Sequence, residues 1–368
     1  MPGLYFSRLF RKSGNSSGRN LLILNYVLDR SHPALAHQFD VVDALAKSFD
    51  KVIVLTGSYD GTPCQSNVCV ESMNWQKGEP VLNIYRLFRS LIRVLRRNKL
   101  DVVFSHMTLI QSAILAPSFK LMRIPHFLWY AHAQDSILLH WVHFISNGII
   151  TSSNGSCPIS GPKVKAIGQG IKQEVFVGNR EFSAMPTRCV HIGRTDPSKK
   201  IEVIINSVAK ARRLYPNLTL EIVGSPSNFE SDKYLESLKN HNHIGVAEGW
   251  LKFTDAIRRS DVPQKLFESD IFVHAFIGSL DKSLIEATMA GLSVVTLNRE
   301  YFNEFPECRP TEMSSLNHSL LELLELNHKE RKARNEAMQA RAIANHSFEN
   351  WILRLTLILN RGTDFSDR

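Results

Sequence analysis

Short apolar runs alternate with amphipathic segments along the chain, in the order that a parallel sheet with covering helices requires. In the first half the predicted strands are LLILNYV, KVIVLTG, DVVFSH, HFLWYAH and GIITSS. Segments with apolar residues at helical spacing separate them, among them FDVVDALAKSF and IYRLFRSLIRVLRRNKL. This order of strand, helix and strand is typical of doubly wound sheets, so the fold class is predicted to be α/β.

The same alternation restarts near residue 188 and predicts a second α/β half. Its predicted strands are CVHIGR, LTLEIVGS, DIFVHAF and SVVTL, and a long helical region closes the chain. The stretch 161–186 lacks periodicity and is rich in Gly and Pro, which indicates a linker. A length of 368 residues also favours two domains. The predicted domains are 1–178 and 179–345, with a C-terminal helix at 346–368.

Composition excludes several classes of protein. With 43% hydrophobic and 21% charged residues, the chain is typical of soluble globular proteins. No apolar run is long enough to span a membrane, and the N-terminus lacks the apolar core of a secretory signal, so a cytoplasmic location is expected. The five cysteines are scattered and form no CxxC pair, which argues against a disulfide scaffold and a zinc site.

The net charge of +9 indicates an anionic partner, because the whole excess of Lys and Arg lies in the first half of the chain. The helix around residues 84–99 is predicted to carry Arg86, Arg89, Arg93, Arg96 and Arg97 on one face. Its apolar side is predicted to consist of Leu87, Phe88, Leu91, Ile92, Val94 and Leu95.

Such a helix suits an anionic membrane surface, and it equally suits a surface helix packed on the core of the first domain. Residues 1–12 form a second apolar and basic segment, either a membrane anchor or a disordered arm. A nucleic-acid partner is not expected, because aromatic residues are not interleaved with the basic ones and no known motif is present.

A candidate anion site lies in HIGRTDPSKK. An apolar strand ends at Gly193, Arg194 follows at once, and Lys199 and Lys200 precede a predicted helix. Cations beside the free N–H groups of a helix N-terminus favour a diphosphate, and parallel sheets bind ligands at the carboxyl ends of their strands. The alternative is a solvated basic turn.

A second candidate site is GSLDKSLIEATMAGLSVV, residues 278–295. Ser283 and Glu286 fit a capping box, which gives the glutamate a purely structural explanation. The small residues Ala287, Ala290 and Gly291 permit the close approach of a ligand or of a neighbouring backbone. Both explanations remain open for this segment.

These two motifs occur in order with LTLEIVGS and EGWLKFTDAIRRSDVPQKLFESDIFVHA between them, and together they resemble the donor half of family 4 glycosyltransferases. The resemblance covers residues 185–300 well. It is weaker over 21–176, where YAHAQDS and AIGQGIKQEVF match recurring segments.

The resemblance implies the GT-B fold, in which two Rossmann-like domains face each other across a cleft and a C-terminal helix packs back on the first. It also implies retaining transfer of a sugar from a nucleotide-sugar, with no metal and no cofactor besides that donor.

The resemblance also implies roles for individual residues. Arg194 and Lys199 are expected to hold the donor diphosphate, and His132 is expected to contact the donor sugar near the reacting carbon. Glu286, the second expected catalytic residue, binds the ribose hydroxyls. The loop residues expected to bind the diphosphate and the sugar are Gly278, Ser279, Leu280, Asp281, Lys282 and Ser283. The alternative for His132 is a purely structural histidine at a strand end, with its hydrogen bonds satisfied locally.

Two positions depart from the family pattern. Many members carry two glutamates eight positions apart, and Gly278 stands at the first of these positions. The loop LDRSHPALAHQ replaces a glycine-rich loop, and its His32 and His37 either assist the acceptor or simply sit in the loop.

The function expected from this resemblance is transfer of a sugar to a lipid-linked or polysaccharide acceptor, at the inner face of a membrane. A nucleotide-sugar epimerase of the same fold is one alternative. A noncatalytic sugar-nucleotide-binding protein is the other.

Overall fold

The computed structural model describes residues 18–32, 35–62, 64–178, 182–312 and 315–362. Those residues form two compact units. The first unit holds the described residues up to Ile167 and those from Ile352 onward, and the second unit is Gly168–Trp351. The apolar and basic segment at residues 1–12 lies outside the described residues.

The first unit is built on a parallel sheet of seven strands in the order β3-β2-β1-β4-β5-β6-β7. The strands are β1 (Asn20–Leu28), β2 (Lys51–Tyr59), β3 (Val68–Ser72), β4 (Val102–His106), β5 (His126–Trp129), β6 (Gly148–Thr151) and β7 (Val164–Ala166). In the register of the central strands, Leu22 pairs with Ile53 on one side and with Val103 on the other. Side chains on both sheet faces are buried there because the sheet is covered by helices.

Four helices connect these strands: α1 (His37–Ala46), α2 (Pro80–Arg97), α3 (Leu109–Leu121) and α4 (Ile137–Ile145). Leu87 and Leu91 of α2 and Phe119 of α3 pack with Leu24 and Leu55 in one apolar cluster. The order of elements puts β3 and β7, which the sequence did not predict, at the two edges of the sheet.

The second unit has a parallel sheet of five strands in the order β10-β9-β8-β11-β12. The strands are β8 (Arg188–Ile192), β9 (Thr219–Val223), β10 (Leu251–Thr254), β11 (Ile271–His274) and β12 (Ser293–Thr296). The helices are α5 (Gln173–Phe176), α6 (Ile201–Ala211), α7 (Phe229–His241), α8 (His243–Ala247), α9 (Val262–Phe267), α10 (Lys282–Met289), α11 (Arg299–Glu304), α12 (Leu316–Glu325), α13 (His328–His346) and α14 (Phe348–Arg361). Two parallel α/β sheets confirm the predicted fold class.

The last helix, α14, begins in the second unit and ends in the first. In the first unit Arg19 donates a hydrogen bond to the carbonyl oxygen of Asn360, and Arg354 donates one of 3.1 Å to that of Ile167. In the second unit Phe348 donates a backbone hydrogen bond of 2.8 Å to Ile171. The stretch 161–186 therefore contains paired backbone, namely β7, the bridge at Ile171 and α5, where the sequence indicated a linker.

Helix α2 differs from its predicted arrangement at two apolar positions. Leu87, Leu91 and Val94 are buried as expected, whereas Phe88 and Ile92 are exposed beside the arginines. The apolar and basic residues of α2 therefore share its solvent face.

Among the described residues, no helix is both long enough and apolar enough to cross a membrane. All five cysteines are free thiols.

Candidate functional site

The residues of both candidate motifs gather at the carboxyl edge of the second sheet. Strand β8 is buried up to His191 and gives way to a loop that carries Gly193 and Arg194. A side chain at Gly224, after the neighbouring strand β9, would place its Cβ 1.7 Å from the carbonyl oxygen of Gly193. The two loop backbones therefore touch, and this contact sets the position of the loop after β8.

Lys199 closes a short 3-10 turn, Pro197–Lys199, and the left-handed residue Lys200 (φ 51°) leads from it into α6. The Lys199 side chain is only 11% exposed and forms an ion pair with Asp281 at the start of α10. Its Nζ lies 4.3 Å from the centre of the Phe276 ring, a cation–π contact. Lys199 thus lies in an enclosed, partly aromatic site, and the alternative of a solvated basic turn does not describe it.

Asp281 is held from a second side by His274, the last residue of β11. His274 Nε2 lies 3.3 Å from Asp281 Oδ2, and His274 Nδ1 lies 3.0 Å from Thr296 Oγ1. Because the charged Asp281 carboxylate can only accept, His274 Nε2 is the donor to it, and the Nδ1 of the neutral ring accepts the proton of the Thr296 hydroxyl. This network favours the His274 tautomer that carries its proton on Nε2 and donates it to the carboxylate.

The charges of this network are set by burial and by close partners. Burial alone would raise the pKa of Asp281, but the hydrogen bond from His274 and the charge of Lys199 bring this pKa far below its usual range. Burial lowers the pKa of His274 despite the neighbouring carboxylate, and it lowers the pKa of His191 to about 3. At neutral pH Asp281 is therefore a charged carboxylate, and the imidazoles of His274 and His191 are uncharged.

Arg194 is 65% exposed and pairs with Asp196, with 3.0 Å between Nη1 and Oδ2. Asp196 is fixed in turn by the hydroxyl of Ser227 (2.8 Å) and by its backbone N–H (3.2 Å). Burial would raise the pKa of Asp196, and the hydrogen bonds from Ser227 and Ser231 together with the charge of Arg194 outweigh that effect and lower it. Arg194 is therefore oriented by a carboxylate that stays charged.

The N-terminus of α6 differs from its predicted role. The N–H of Ile201 donates a hydrogen bond of 2.8 Å to the hydroxyl of Tyr234, which itself hydrogen-bonds to Glu202. The first amide of this helix therefore already has a partner and is not free to bind an anion.

Glu286 lies in the middle of α10 and its side chain is 3% exposed. Arg259 binds it through the two terminal nitrogens of the guanidinium group, with Nη1 lying 2.8 Å from Oε2. Burial alone would lower the pKa of Arg259, but the hydrogen bonds to Glu286 raise it. The N-cap of α10 is Asp281 with no side-chain cap, so the capping box, one of the two explanations left open for Ser283 and Glu286, is not formed.

The loop 276–280 is fixed through its carbonyl groups. The Asn298 side chain donates to the carbonyl oxygens of Phe276 (3.1 Å), Gly278 (3.2 Å) and Ser279 (3.1 Å), and the Gln169 side chain donates to that of Leu280 (2.6 Å). With four carbonyl groups held by these two amides, the loop has a defined path into α10.

Gly278 packs directly against the ring of Phe276. A Cβ at this position would lie 2.2 Å from the ring. Phe276 thus occupies the space into which a side chain at position 278 would extend, and it also packs against Lys199. A glutamate at 278 would require that ring to move.

The remaining candidates, His132, His32 and His37, lie in the first unit. His132 is exposed on the loop after β5, with its ring edge-on to that of Tyr130 at 5.4 Å between centroids. His32 Nδ1 accepts a hydrogen bond of 3.0 Å from the Leu35 backbone, so it stabilises its own loop.

The second unit brings Arg194, Lys199, Glu286 and the loop 278–283 to one sheet edge. Four contributors were missed by sequence reasoning: Arg259, His274, Phe276 and Asn298. Of these, His274 and Asn298 carried a local signal, as polar residues at or just after the carboxyl end of a buried strand. Within the described ranges, no three His, Cys, Asp or Glu side chains gather as a metal site would require.

Comparison with known proteins relates this site to a family. Residues 186–311, which contain all the site residues of the second unit named above except Gln169, match the family described as Glycosyl transferases group 1. No curated protein matches the chain in sequence.

Solved structures share the fold over nearly the whole chain. Anabaena HepE in complex with UDP has a TM-score of 0.70 at 14% identity, covering 93% of this chain and 100% of that one, and HepE has also been crystallised with UDP-glucose. Sucrose-phosphate synthase from Thermosynechococcus elongatus has a TM-score of 0.71 at 13% identity (93% and 99% covered). WaaG, a glycosyltransferase involved in lipopolysaccharide biosynthesis, has a TM-score of 0.61 at 14% identity (92% and 99%). These neighbours confirm the GT-B fold, and with the family match they support a glycosyltransferase.

Proposed function

We propose that this protein is a retaining, metal-independent glycosyltransferase that moves a sugar from a nucleotide-sugar to a lipid-linked acceptor, in the synthesis of a cell-surface glycan. The observation that carries the proposal is the enclosed Lys199 site beside the N-terminus of α10, within the residues that match the glycosyltransferase family. The UDP and UDP-glucose complexes of HepE, which has the same fold, support a nucleotide-sugar as the donor.

The chemistry asked of this site is stabilisation of a leaving diphosphate. Breaking a sugar–phosphate bond leaves negative charge on the diphosphate, and fixed cations and oriented amides lower the cost of that charge. Lys199 supplies an enclosed cation, Arg194 supplies an exposed one, and the amides at the start of α10 add the positive end of a helix dipole. The retaining course and the absence of a metal rest on the family resemblance.

Two further roles complete the proposal. Glu286 accepts hydrogen bonds from the ribose hydroxyls, using carboxylate lone pairs that the contacts to Arg259 leave available. His132 contacts the donor sugar near the reacting carbon. Both roles rest on the resemblance, and each residue can be replaced in a variant that keeps Lys199.

The decisive test measures binding of UDP, GDP, ADP and dTDP by calorimetry, and release of nucleotide from their glucose conjugates. Lys199→Ala is expected to weaken nucleotide binding about tenfold, because a charge-assisted contact is lost. Arg194→Ala is expected to weaken it about threefold, since the exposed arginine is already paired with Asp196. Lys210→Ala, at an exposed position on α6, is the control. Unchanged binding and turnover in both site variants would reject the diphosphate assignment.

A noncatalytic sugar-nucleotide-binding protein is the second candidate, and the environment of Gly278 favours it. The family carboxylate is missing at this position and the Phe276 ring fills its place. Nucleotide binding without release of nucleotide or transfer to any acceptor would establish this candidate. An isomerised nucleotide-sugar formed without an acceptor would instead establish an epimerase.

A lipid-linked acceptor is favoured over a polysaccharide by the surface of α4. This helix begins five residues after His132, and its residues Ile137 (88% exposed), Trp141 and Phe144 (78% exposed) lie at positions i, i+4 and i+7. Three large apolar side chains on one solvent-facing stripe suit an acyl or prenyl chain better than a polysaccharide. Labelled sugar recovered in an organic-extractable product would support the lipid acceptor, and label only in aqueous polymer would exclude it.

The solvent face of α2 supports peripheral binding to the inner face of a membrane. Val81, Tyr85 and Phe88 are exposed on the same helix as the exposed Arg89 and Arg96. Interleaved apolar and cationic side chains on one surface helix match the interface of an anionic bilayer.

Arg89→Gln with Arg96→Gln is expected to weaken binding to phosphatidylserine vesicles about 30-fold, because each basic residue near such a surface contributes about 1 kcal/mol. Sedimentation with vesicles measures the effect. Lys210→Gln with Lys239→Gln removes the same charge from exposed positions on α6 and α7. Equal losses in the two double variants would show that only net charge matters and would exclude α2 as the docking surface.

A further inference from the structure

Asp281 is an unusual neighbour for a cation that is proposed to bind a diphosphate. Its carboxylate already forms an ion pair with Lys199, and the pair is largely enclosed, with 11% and 19% of the two side chains exposed. An incoming phosphate oxygen must therefore share or displace this carboxylate. An enclosed pair of this kind is screened far less by solvent than an exposed one.

The carboxylate cannot simply move away when a ligand arrives. His274 donates to Asp281 from β11, and the ring is itself held by Thr296 of β12, so two strands fix the acceptor. His274 is fully buried, which leaves it no alternative position in solvent. Asp281 therefore stays beside the anion that Lys199 receives, and the repulsion between them depends on the charge of that anion.

We propose that Asp281 is a specificity-determining residue that favours the nucleotide-sugar donor over the nucleoside diphosphate product. This inference rests on the proposed function and concerns the discrimination made at the same site. A free nucleoside diphosphate ends in a phosphate monoester, which carries one more negative charge above its second ionisation near pH 6 than the diester of a nucleotide-sugar. Asp281 repels the product more strongly than the donor and so assists product release.

The charged and titratable groups around Asp281 are Lys199 after β8, His191 in β8, His274 in β11, and Lys282 next in sequence on α10. His274 and Lys199 hold the pKa of Asp281 far below its usual range, so this carboxylate stays charged across neutral pH. The charge that changes near neutral pH is that of the terminal phosphate of the product. Discrimination against the product is therefore expected to increase as the pH rises through about 6.

The test compares the wild type with Asp281→Asn, which removes the charge and keeps the size of the side chain. The probes are UDP, GDP, ADP and dTDP, each with its glucose conjugate, in calorimetry at pH 8. The variant is expected to bind the nucleoside diphosphate about tenfold more tightly and the conjugate about threefold more tightly. Asp232→Asn, at an exposed position on α7, is the control for net charge and is expected to change neither affinity.

A pH series on the wild type needs no variant to fold. The ratio of the dissociation constant of the nucleoside diphosphate to that of its glucose conjugate is expected to rise about threefold between pH 5 and pH 8, because only the nucleoside diphosphate loses a proton in this range. In Asp281→Asn, and in a second variant, Asp281→Ser, this rise is expected to be smaller.

Three outcomes overturn the inference. The first is weaker or unchanged nucleotide binding in Asp281→Asn and Asp281→Ser, which would make Asp281 a residue that merely positions Lys199. The second is an equal gain for product and donor, and the third is a ratio of the two wild-type dissociation constants that is the same at pH 5 and at pH 8. In all three the proposed function survives, because nucleotides still bind. If no probe binds to any form of the protein, the proposed function and this inference fail together.

Discussion

Replacing Arg259 by alanine is expected to lower the free energy of unfolding by about 3 kcal/mol, because it leaves the buried carboxylate of Glu286 without its cation. The side chain of Glu286 is 3% exposed, whereas that of Arg259 is 51% exposed. The two partners are therefore not equivalent. In the free protein an unpaired carboxylate at position 286 would be largely shielded from water, whereas an unpaired guanidinium group at position 259 would be solvated.

This asymmetry predicts a ranking of variants in urea-induced unfolding followed by circular dichroism. Glu286→Gln is expected to cost only about 1 kcal/mol, since the amide keeps one hydrogen bond and Arg259 is solvated. Arg258→Ala removes the same side chain one position earlier, at an exposed site, and is expected to be nearly neutral. An equal decrease in the free energy of unfolding for Arg259→Ala and Glu286→Gln would contradict the conclusion that the two partners are not equivalent.

The central strands of both sheets were predictable because their apolar residues are continuous. Strands such as β1, β2 and β4 have neighbours on both sides and helices on both faces, so nearly every position is buried. The strands that the sequence did not reveal, β3, β7 and β10, all lie at sheet edges. These three strands are short and only partly buried, so they lack a continuous apolar run. The fourth edge strand, β12, is buried at all four positions and was predicted.

Helix α4 was missed for a different reason. Its sequence ILLHWVHFI is apolar almost throughout, so it has no contrast between two faces that would mark helical periodicity. Only Leu139 and Val142 are buried in it, and four of its other apolar residues are exposed, namely Ile137, Leu138, Trp141 and Phe144. A helix whose outer face is also apolar cannot be recognised from amphipathicity.

The backbone of the candidate site was predictable, while the partners of its charged residues were not. Lys199 and Arg194 were identified because a strand end followed by cations is a local pattern. The partner of Lys199 lies 82 residues along the chain, and that of Glu286 lies 27 residues away. Sequence reasoning gave Glu286 a local partner in a capping box. The structure gives it Arg259 because the loop after β10 delivers a guanidinium group to the buried side of α10.

Replacing Gly224 by alanine is expected to lower the free energy of unfolding by about 3 kcal/mol or more and to weaken nucleotide binding, because the new methyl group would overlap the carbonyl group of Gly193. The Cβ would lie 1.7 Å from that oxygen and 2.9 Å from its carbon, and backbone atoms of two adjacent parallel strands have little freedom to separate.

Gly249→Ala is the matched control, since Gly249 also has a positive φ (+77°) but nothing within 4 Å of its Cβ position. The control is expected to cost about 1 kcal/mol from backbone strain alone. Urea unfolding measures the free energy of unfolding of both variants, and calorimetry measures their nucleotide binding. An equal decrease in the free energy of unfolding for the two variants, or unchanged nucleotide binding in Gly224→Ala, would show that the contact between the two loops does not position Arg194.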